Sequence, residues 1–419
     1  MFRSFTGFLF LFLFFLAEWY GFQAVRTALH SAAPVARKTA GYLYWLITVL
    51  VWGLGMWSLA TRGQGNAPYK AYLGSVLLAL LLSKLVILLF LFPEDLVRGV
   101  RWVVGRISGN TTVSGSGPAI PRSEFLSKLA LVVAAVPFVS LIWGVVKGGT
   151  DYQVKRVTLR FPNLPASFDG FKLLQISDLH TGSFASTEPL QRAVALINQQ
   201  NADLVVMTGD LVNNIATEVE DHIPTLAQIQ SKLPKLSILG NHDYADYVDW
   251  TEQGGIEAKR ANLERLKRNH AQIGWKLLLD ETHHLERNGE KIAILGIQNW
   301  GAAMRFPKYG NLAKAHAAVE PDAPFKILLS HDPSHWDAQV RPEFPDIDLM
   351  LSGHTHGMQF GINLPFLKWS PVQYVYKQWA GLYQQGKQYL YVNTGLGFLG
   401  YPGRVGFLPE ITVFELRRA

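Results

Sequence analysis

The chain has 419 residues and a formal net charge of +7, and 49% of its residues are hydrophobic while only 17% are charged. That length accommodates one large domain with an appendage, and so low a charged fraction is unusual for a soluble enzyme. The sequence contains no cysteine, which excludes disulfides and thiolate metal sites but leaves the cellular compartment open.

Apolar residues are concentrated in residues 1–150, where four stretches reach the roughly 20 apolar residues that a bilayer-crossing helix needs. They run over about residues 5–25, 42–60, 72–92 and 125–146. We therefore predict an all-α transmembrane region with four spans over residues 1–150, followed by a second domain over residues 151–419; a soluble helical bundle is the alternative. The first stretch could be a signal peptide, but Ala17-Glu18-Trp19 is not a small-x-small cleavage site, so we interpret it as retained.

Two charged residues fall inside these spans. Glu18 lies in the first and Lys84 in the third, each 12 or 13 residues from the start of its span. The two spans run in the same direction, and at about 1.5 Å per residue the two charges lie at similar depth. Because isolated charges inside a bilayer are costly, we predict that they form an ion pair; independent snorkelling to the surface is the alternative.

Basic residues flank the spans unevenly. The loops at 26–38 and 98–122 carry seven lysines and arginines, against three on the opposite side, or seven if those at 147–160 are counted. The positive-inside rule then leans toward an integral membrane protein whose second domain is exported, although a cytoplasmic lipid precursor as substrate would require the opposite orientation. No basic stripe is interleaved with exposed aromatics, so the predicted partner is the lipid bilayer and not nucleic acid.

Two further segments follow the third span. Residues 96–106 place three arginines among valines and a tryptophan, which suits an interfacial helix or a plain continuation of the span. Residues 108–121 (SGNTTVSGSGPAIP) are typical of a flexible linker.

Strand and helix patterns alternate after residue 150. A first strand is predicted in YQVKRVTLRF from Tyr152, and further strands near 291–297, 325–330, 347–351, 389–393 and 411–416. Helices are predicted over 187–200 and 256–270. The alternation indicates an α/β domain with a mostly parallel interior.

Seven candidate metal ligands follow short apolar runs with strand character. They are Asp178 and His180 after KLLQIS, Asp210 after DLVVMT, Asn241 after LSIL, His331 after KILLS, and His354 and His356 after DLMLS. Ligands at the carboxyl ends of several strands converge on one edge of a sheet. His242 directly follows Asn241 in the third block. The other seven histidines fall outside these blocks, and we expect surface or capping roles for them, although His335 could reach the rim of the site.

This ligand set favours two divalent metal ions. Imidazole, carboxylate and one amide oxygen, without thiolate, suit Mn, Fe, Co or Zn. Two such cations counter the negative charge of a phosphate group and activate water, which is what the hydrolysis of a phosphoester bond requires.

The ordered pattern D-x-H, G-D, G-N-H-D, H, G-H-x-H resembles the calcineurin-like metallophosphoesterase family, with spacings of 32, 31, 90 and 23 residues between blocks over about residues 152–418. The resemblance implies a fold of two packed β-sheets flanked by helices. It also implies a site in which Asp178, His180 and His356 hold one metal, Asn241, His331 and His354 hold the other, and Asp210 bridges them. His242 would then act on the substrate phosphate or its leaving oxygen, oriented by Asp243.

The stretches GHTHGMQ and YVNTGLGFLGYPGRVGFLPEITVFEL are similar to a bacterial, membrane-associated or exported subgroup of that family, which usually has a second glycine where this chain has Met358. Enzymes of this kind act on phospholipids or on UDP-diacylglucosamine. We therefore expect a membrane-anchored hydrolase of a phosphodiester, pyrophosphate or phosphomonoester bond, in a lipid-linked substrate.

Alternatives remain open at this point. They are a phosphodiesterase for non-lipid substrates such as cyclic nucleotides, and a non-catalytic membrane sensor that binds phosphorylated ligands. Two loops, 244–255 and 359–388, are expected to shape the substrate pocket. The second is rich in apolar side chains that either receive acyl chains or pack on the core.

Overall fold

The computed structural model describes residues 2–61, 68–108, 120–304 and 306–419. The chain divides into two compact units, Met1–Val145 and Val146–Ala419.

Four long helices make up the first unit: α1 (Phe2–Ala28), α2 (Pro34–Ala60), α3 (Pro68–Ile107) and α4 (Ile120–Val146). They lie where the sequence predicts four spans. Within the described residues, three segments are long and apolar enough to cross a membrane by length and composition, namely Pro34–Ser58, Lys70–Ile107 and Glu124–Thr150. Residues 96–106 continue α3 beyond Pro93 as one helix. Most of the predicted linker, residues 109–119, lies outside the described part of the chain, and Ile120 and Pro121 already belong to α4.

The predicted pairing of Glu18 with Lys84 is confirmed. The Lys84 ammonium contacts Glu18 Oε1, and both side chains are buried. Trp52 Nε1 donates to the same oxygen at 2.9 Å, while Tyr44 OH and Thr48 Oγ1 donate to Oε2 at 3.0 and 3.3 Å. Each carboxylate oxygen therefore has two donors, and one charged group from α1 ties together α2 and α3.

Fourteen strands and five further helices are described in the second unit. The strands are β1 (Gln153–Phe161), β2 (Phe171–Ile176), β3 (Leu204–Thr208), β4 (Lys235–Ile238), β5 (Trp275–Leu277), β6 (Glu281–Arg287), β7 (Glu290–Gly296), β8 (Phe325–Leu329), β9 (Leu349–Ser352), β10 (Ile362–Leu364), β11 (Leu367–Trp369), β12 (Gly381–Gln385), β13 (Gln388–Val392) and β14 (Glu410–Arg418). The helices are α5 (Glu188–Asn198), α6 (Ile223–Leu226), α7 (Gly255–Ile273), α8 (Leu312–Ala317) and α9 (Arg341–Glu343).

These strands form two six-stranded sheets and one hairpin. The first sheet has the order β1-β14-β2-β3-β4-β5, and the second has the order β12-β13-β9-β8-β7-β6. Strands β2 to β5 run parallel to one another, as do β13, β9, β8 and β7, so the interior is parallel as predicted. The edge pairs β12–β13 and β6–β7 are antiparallel, and β10 pairs only with β11.

The two sheets pack face to face between helices. Alternate residues of one strand point into different cores: Leu173 of β2 packs between the sheets, whereas Leu174 packs toward α5 and α7. On the outer face of the second sheet, Leu328 packs with Leu312 of α8 and with Trp336. Strands covered on both faces read as continuous apolar runs. The expected α/β fold of two packed sheets flanked by helices is confirmed.

The Glu18–Lys84 pair yields a prediction about the first unit. Lys84→Met removes the counter-charge of a buried carboxylate, so we expect a loss of about 3–5 kcal/mol in the stability of the helical unit. The double variant Glu18→Gln/Lys84→Met should recover most of that loss, because the amide oxygen still accepts from Tyr44 or Trp52. Thermal unfolding of the detergent-solubilised full chain measures both.

The control is the partly exposed pair Lys128–Glu124 on α4, at 2.7 Å, where solvent screens the charges and Lys128→Met should leave the unfolding midpoint almost unchanged. If the double variant lost as much stability as the single variants Glu18→Gln and Lys84→Met lose together, Glu18 and Lys84 would not be coupled.

Candidate metal centre

Five strand ends bring the candidate ligands to a common place. In the first sheet, β2, β3 and β4 end just before Asp178, Asp210 and Asn241, and in the second sheet β8 and β9 end just before His331 and His354. Neighbouring parallel strands end at the same edge of their sheet. Because the two sheets are packed together, the ends of both meet, and the seven candidate side chains are drawn from both sheets.

One group of side chains consists of Asp178, His180 and His356. Nε2 of His356 lies 3.1 Å from Nε2 of His180 and 3.2 Å from Oδ1 of Asp178. All three residues are buried, and their ligand atoms lie within 4.8 Å of one another.

A second group lies beside it. His331 Nε2 is 3.1 Å from Asn241 Oδ1 and 3.3 Å from His354 Nδ1, and His354 Nδ1 is 2.7 Å from the same amide oxygen. His331 Nδ1 lies 2.7 Å from the Thr208 carbonyl, to which it donates, so Nε2 is the ring nitrogen that faces the group.

Asp210 stands between the two groups. Its Oδ2 lies 3.1 Å from His331 Nε2 and 3.6 Å from His180 Nε2, and its Oδ1 accepts from the backbone N–H of His242 at 2.9 Å. The Asp210 carboxylate thus reaches both groups through Oδ2, while a backbone N–H holds its Oδ1.

The backbone around these side chains is strained. Five of the seven candidate ligands have a positive φ between 46° and 72°, which non-glycine residues rarely adopt outside functional sites; they are Asp178, His180, Asp210, His354 and His356. Two motif glycines permit the close approach of neighbouring blocks. A Cβ at Gly240 would lie 2.2 Å from Asp210 Oδ1, and one at Gly353 would lie 2.1 Å from Asp178 Oδ2.

The electrostatics of the site fit a bound cation. Burial lowers the pKa of His180 to about 3, so its ring is neutral at pH 7. Burial also opposes charge on His331, but Asp210 and Asp178 raise the pKa of His331 to about 10. Burial disfavours ionised Asp210 as well, yet the surrounding histidines hold the pKa of this carboxyl well below its usual range. Asp210 and Asp178 favour protonated His331, and a bound divalent ion would take the place of that proton. Ring nitrogens and ionised carboxylates that lie 3.1–3.6 Å from one another match the donor set of a divalent transition metal.

His242 lies at the mouth of the site and is only half-buried. Its Nδ1 lies 2.6 Å from the carbonyl of Asn213, to which it donates, and this leaves Nε2 open. Its ring packs at 5.0 Å from the His180 ring and at 4.6 Å from the Tyr247 ring.

Asp243 has a different role from the one that the sequence suggested. Its carboxylate accepts from the backbone N–H groups of Asp210 and Leu211 at 2.9 Å and of Gly240 at 2.8 Å, and not from His242. The expectation that Asp243 orients His242 is wrong because a carbonyl, Asn213 O, already holds that ring. Asp243 instead fixes the backbone that carries Asp210.

Three further residues support the histidines, and the ligand pattern did not reveal them. Tyr376 OH lies 2.8 Å from His354 Nε2, and Asp332 Oδ2 lies 3.7 Å from the same nitrogen. Arg404 Nη2 lies 3.1 Å from His356 Nδ1. Tyr376 and Arg404 come from loops far along the chain, whereas Asp332 directly follows His331 and was visible only as a neighbour.

The remaining histidines do not all lie at the surface. His335 is buried between Ser330 Oγ and Gln339 Oε1, each at 2.9 Å, and therefore does not reach the rim of the site. His270 is also buried, with Nδ1 3.0 Å from Ser237 Oγ. Surface roles were the wrong expectation for these two side chains.

Arg404 yields a prediction for stability. The guanidinium is buried, its charge persists because burial lowers its pKa only to about 10, and it donates to the carbonyls of Gly397, Thr394 and Phe407. Arg404→Met would leave these carbonyls unpaired, at about 1–3 kcal/mol each. We expect a fall of about 5 °C or more in the unfolding midpoint of the second unit.

The control is Arg417→Met, since Arg417 is partly exposed and pairs with Asp169 and Glu415 at the surface. Equal midpoints for the two variants in a thermal scan would contradict the structural role of Arg404.

Comparison with known proteins identifies the family. The model "Calcineurin-like phosphoesterase" matches residues 171–358, and the model "Probable Calcineurin-like phosphoesterase, transmembrane domain" matches residues 2–149.

Three curated relatives extend this result. A transmembrane protein with metallophosphoesterase domain from Danio rerio is 32% identical over 297 residues, covering 70% of this chain but only 62% of the length of that relative. The metallophosphoesterase YkuE of Bacillus subtilis is 34% identical over 271 residues, covering 62% of this chain and 84% of that protein. The UDP-2,3-diacylglucosamine pyrophosphatase LpxG of Chlamydia muridarum is 26% identical over 322 residues, covering 68% of this chain and 94% of that protein. This chain matches the Bacillus subtilis metallophosphoesterase over 84% of the length of that protein, at 34% identity, and it has the metal-binding geometry described above. It therefore belongs to the calcineurin-like phosphoesterase family.

Proposed function

We propose that the chain is a membrane-anchored two-metal phosphoesterase that hydrolyses a phosphodiester, pyrophosphate or phosphomonoester bond in a lipid-linked substrate. The observation that carries this proposal is the position of Asp210, whose Oδ2 lies within 3.6 Å of ring nitrogens from both ligand groups.

In this proposal Asp178, His180 and His356 would hold one divalent ion, Asn241, His331 and His354 would hold the other, and Asp210 would contribute to both. The ions, which are Mn, Fe, Co or Zn, would supply positive charge to the phosphate oxygens and increase the acidity of water. The remaining contributions come from the protein itself.

His242 is the proposed catalytic acid or hydrogen-bond donor. With Nδ1 committed to the Asn213 carbonyl, Nε2 is the nitrogen that meets a phosphoryl or leaving-group oxygen. Its backbone N–H meanwhile holds Asp210 Oδ1, so one residue faces the substrate and positions the bridging ligand. Asp243 is a positioning residue, because its bonds to the N–H groups of Asp210 and Leu211 set the direction of the Asp210 side chain.

The β10–β11 hairpin supports a lipid-linked substrate. In its register Ile362 pairs with Trp369 and Leu364 pairs with Leu367, so these four side chains share one face. Lys368, on the other face, folds back to the Ala380 carbonyl and lies 4.7 Å from the Trp379 ring. The apolar face therefore points outward, and Phe366 at the tip is 84% exposed. Hairpins normally present their polar face to water.

The hairpin is also attached to the candidate metal centre. Ser370 Oγ donates to the carbonyl of Gly357 at 2.9 Å, next to His356, and Tyr376, which follows the hairpin, contacts His354. The sequence left two alternatives for this loop. Tyr376 and Trp379 pack in a buried cluster with Phe407, whereas the hairpin itself remains exposed. We propose that acyl chains of the substrate contact the hairpin face. The name of the LpxG relative, a UDP-2,3-diacylglucosamine pyrophosphatase, points to the same substrate class.

Substitution of the bridging ligand tests the catalytic proposal. Asp210→Ala should lower the hydrolysis of bis(p-nitrophenyl) phosphate by about 1,000-fold or more, because both ions lose a shared anionic ligand. Metal content by mass spectrometry should fall in parallel, while α-helical circular dichroism stays unchanged.

The control is Asp322→Asn, since Asp322 is an exposed carboxylate that pairs with Lys291 at 3.1 Å and lies outside both ligand groups and both pocket loops. Full activity in the Asp210 variant, or two bound ions without any hydrolysis in the wild type, would sink the enzyme proposal and favour a sensor that only binds phosphorylated ligands.

Substitution of the hairpin tests the substrate class separately. The triple variant Leu364→Ser/Phe366→Ser/Leu367→Ser should lower kcat/KM for UDP-2,3-diacylglucosamine by about tenfold or more, because it removes apolar contacts worth about 1.4 kcal/mol or more in total. Hydrolysis of bis(p-nitrophenyl) phosphate should be unchanged.

Ile256→Ser serves as the matched control, because Ile256 is an exposed apolar residue of α7. An equal fall in the hydrolysis of both substrates would indicate that the hairpin supports the structure of the site and does not contact acyl chains. An active enzyme that cleaves cyclic nucleotides but no lipid-linked substrate would overturn the lipid proposal and leave the hydrolase standing.

A further inference from the structure

We propose that the first unit contains a binding site for the phosphate headgroup of an anionic phospholipid, in a cleft between α1 and α2. This site is separate from the candidate metal centre and does not depend on the proposed function. The cleft has a volume of about 510 Å³ and is lined by residues from Phe22 to Trp45.

One face of each helix lines the cleft. Phe22, Arg26 and Leu29 follow the spacing i, i+4, i+7 along α1 and the turn after it. Lys38 and Trp45 are seven residues apart on α2, and Arg37 lies beside Lys38. Residues at these spacings stack along one side of a helix. The cleft is therefore formed by two helix faces that meet at the connection between α1 and α2.

The cations lie at one end of the cleft. Arg26 is in the last turn of α1, and Arg37 and Lys38 are in the first turns of α2. No carboxylate lines the cleft, and within the described residues none of these three cations forms an ion pair. His30 also lines the cleft. Glu124, a carboxylate of α4, is already held by Ser31 at 3.0 Å and by Lys128 at 2.7 Å. Three like charges around one cleft call for an anion from outside the chain.

The other end of the cleft is apolar. The rings of Phe22 and Trp45 lie with centroids 5.4 Å apart. Phe22 is four residues from Arg26 and Trp45 is seven from Lys38, so the rings lie about 6–10 Å further along the helices, toward the middle of the spans. A phosphate between the cations would place an acyl chain against these rings. Basic pockets between transmembrane helices bind lipid headgroups in this manner.

The shared chemistry of the ligand is a phosphate anion, and the apolar floor selects a lipid over free phosphate. The test uses the full chain purified in detergent and native mass spectrometry with added phosphatidylglycerol, phosphatidylcholine or inorganic phosphate. We expect phosphatidylglycerol to bind at least about tenfold tighter than phosphatidylcholine, and inorganic phosphate to compete only at far higher concentration.

The triple variant Arg26→Gln/Arg37→Gln/Lys38→Gln should weaken phosphatidylglycerol binding about 100-fold, since each cation near the surface contributes about a fivefold effect. The matched control is Arg98→Gln/Arg101→Gln/Arg106→Gln, which removes the same charge near the end of α3 but outside the cleft. It should change binding only a few-fold. Arg26→Lys/Arg37→Lys, which keeps the charge, should restore most of the affinity.

Three results would overturn the proposal. Equal losses in the two triple variants would indicate diffuse attraction to the membrane surface. Equal affinity for phosphatidylglycerol and phosphatidylcholine would show that the cations do not recognise the net charge of the lipid headgroup. Inorganic phosphate that binds as tightly as the lipid would remove the acyl contribution. An unchanged thermal unfolding midpoint of the helical unit in the first triple variant verifies that it has folded.

Discussion

The second unit depends on one buried carboxylate, Asp210, which lies between two sets of ligands and is held in place from its own backbone. A charge this deeply buried is tolerated only when it is paired or coordinated. Here the surroundings are ring nitrogens from strands of both sheets, and the backbone N–H of Asp210 donates to Asp243 at 2.9 Å. The packing of the two sheets therefore serves the site directly, because the two histidines nearest to Asp210 Oδ2, His331 and His180, follow strands of different sheets.

The same physical rule shapes the first unit in two opposite ways. Glu18 is buried among α1, α2 and α3 and is fully satisfied by Lys84 and three neutral donors. Arg26, Arg37 and Lys38 face a cleft that contains no carboxylate. In the first arrangement the charges are paired within the protein, and the pair links three helices. The second arrangement requires an anion from its surroundings. This contrast is why we propose a lipid site only in the cleft.

The loops that follow the last block of candidate ligands join the exposed hairpin to the candidate metal centre. Arg404 lies against His356 and donates to carbonyls of its own loop, Tyr376 contacts His354, and Ser370 holds the Gly357 carbonyl. The hairpin with the outward apolar face is thus attached to the segment that carries two ligands. A contact of the hairpin with acyl chains would be made within the same segment that orients these histidines.

The sequence alone determined the features that depend on local pattern. Each ligand block directly follows an apolar run, so its place at a strand end could be read from the chain, and the shared depth of Glu18 and Lys84 in their spans predicted their pairing. Other features are set by contacts between distant segments, and only the tertiary structure decided them. The hydrogen bond from His242 to the Asn213 carbonyl, the use of Asp243 to hold Asp210, and the support of His356 by Arg404 all join residues whose partners no local pattern specifies. The outward face of the hairpin is of the same kind, because a strand register gives two faces and only the folding back of Lys368 onto Ala380 determines which of them meets the solvent or a lipid.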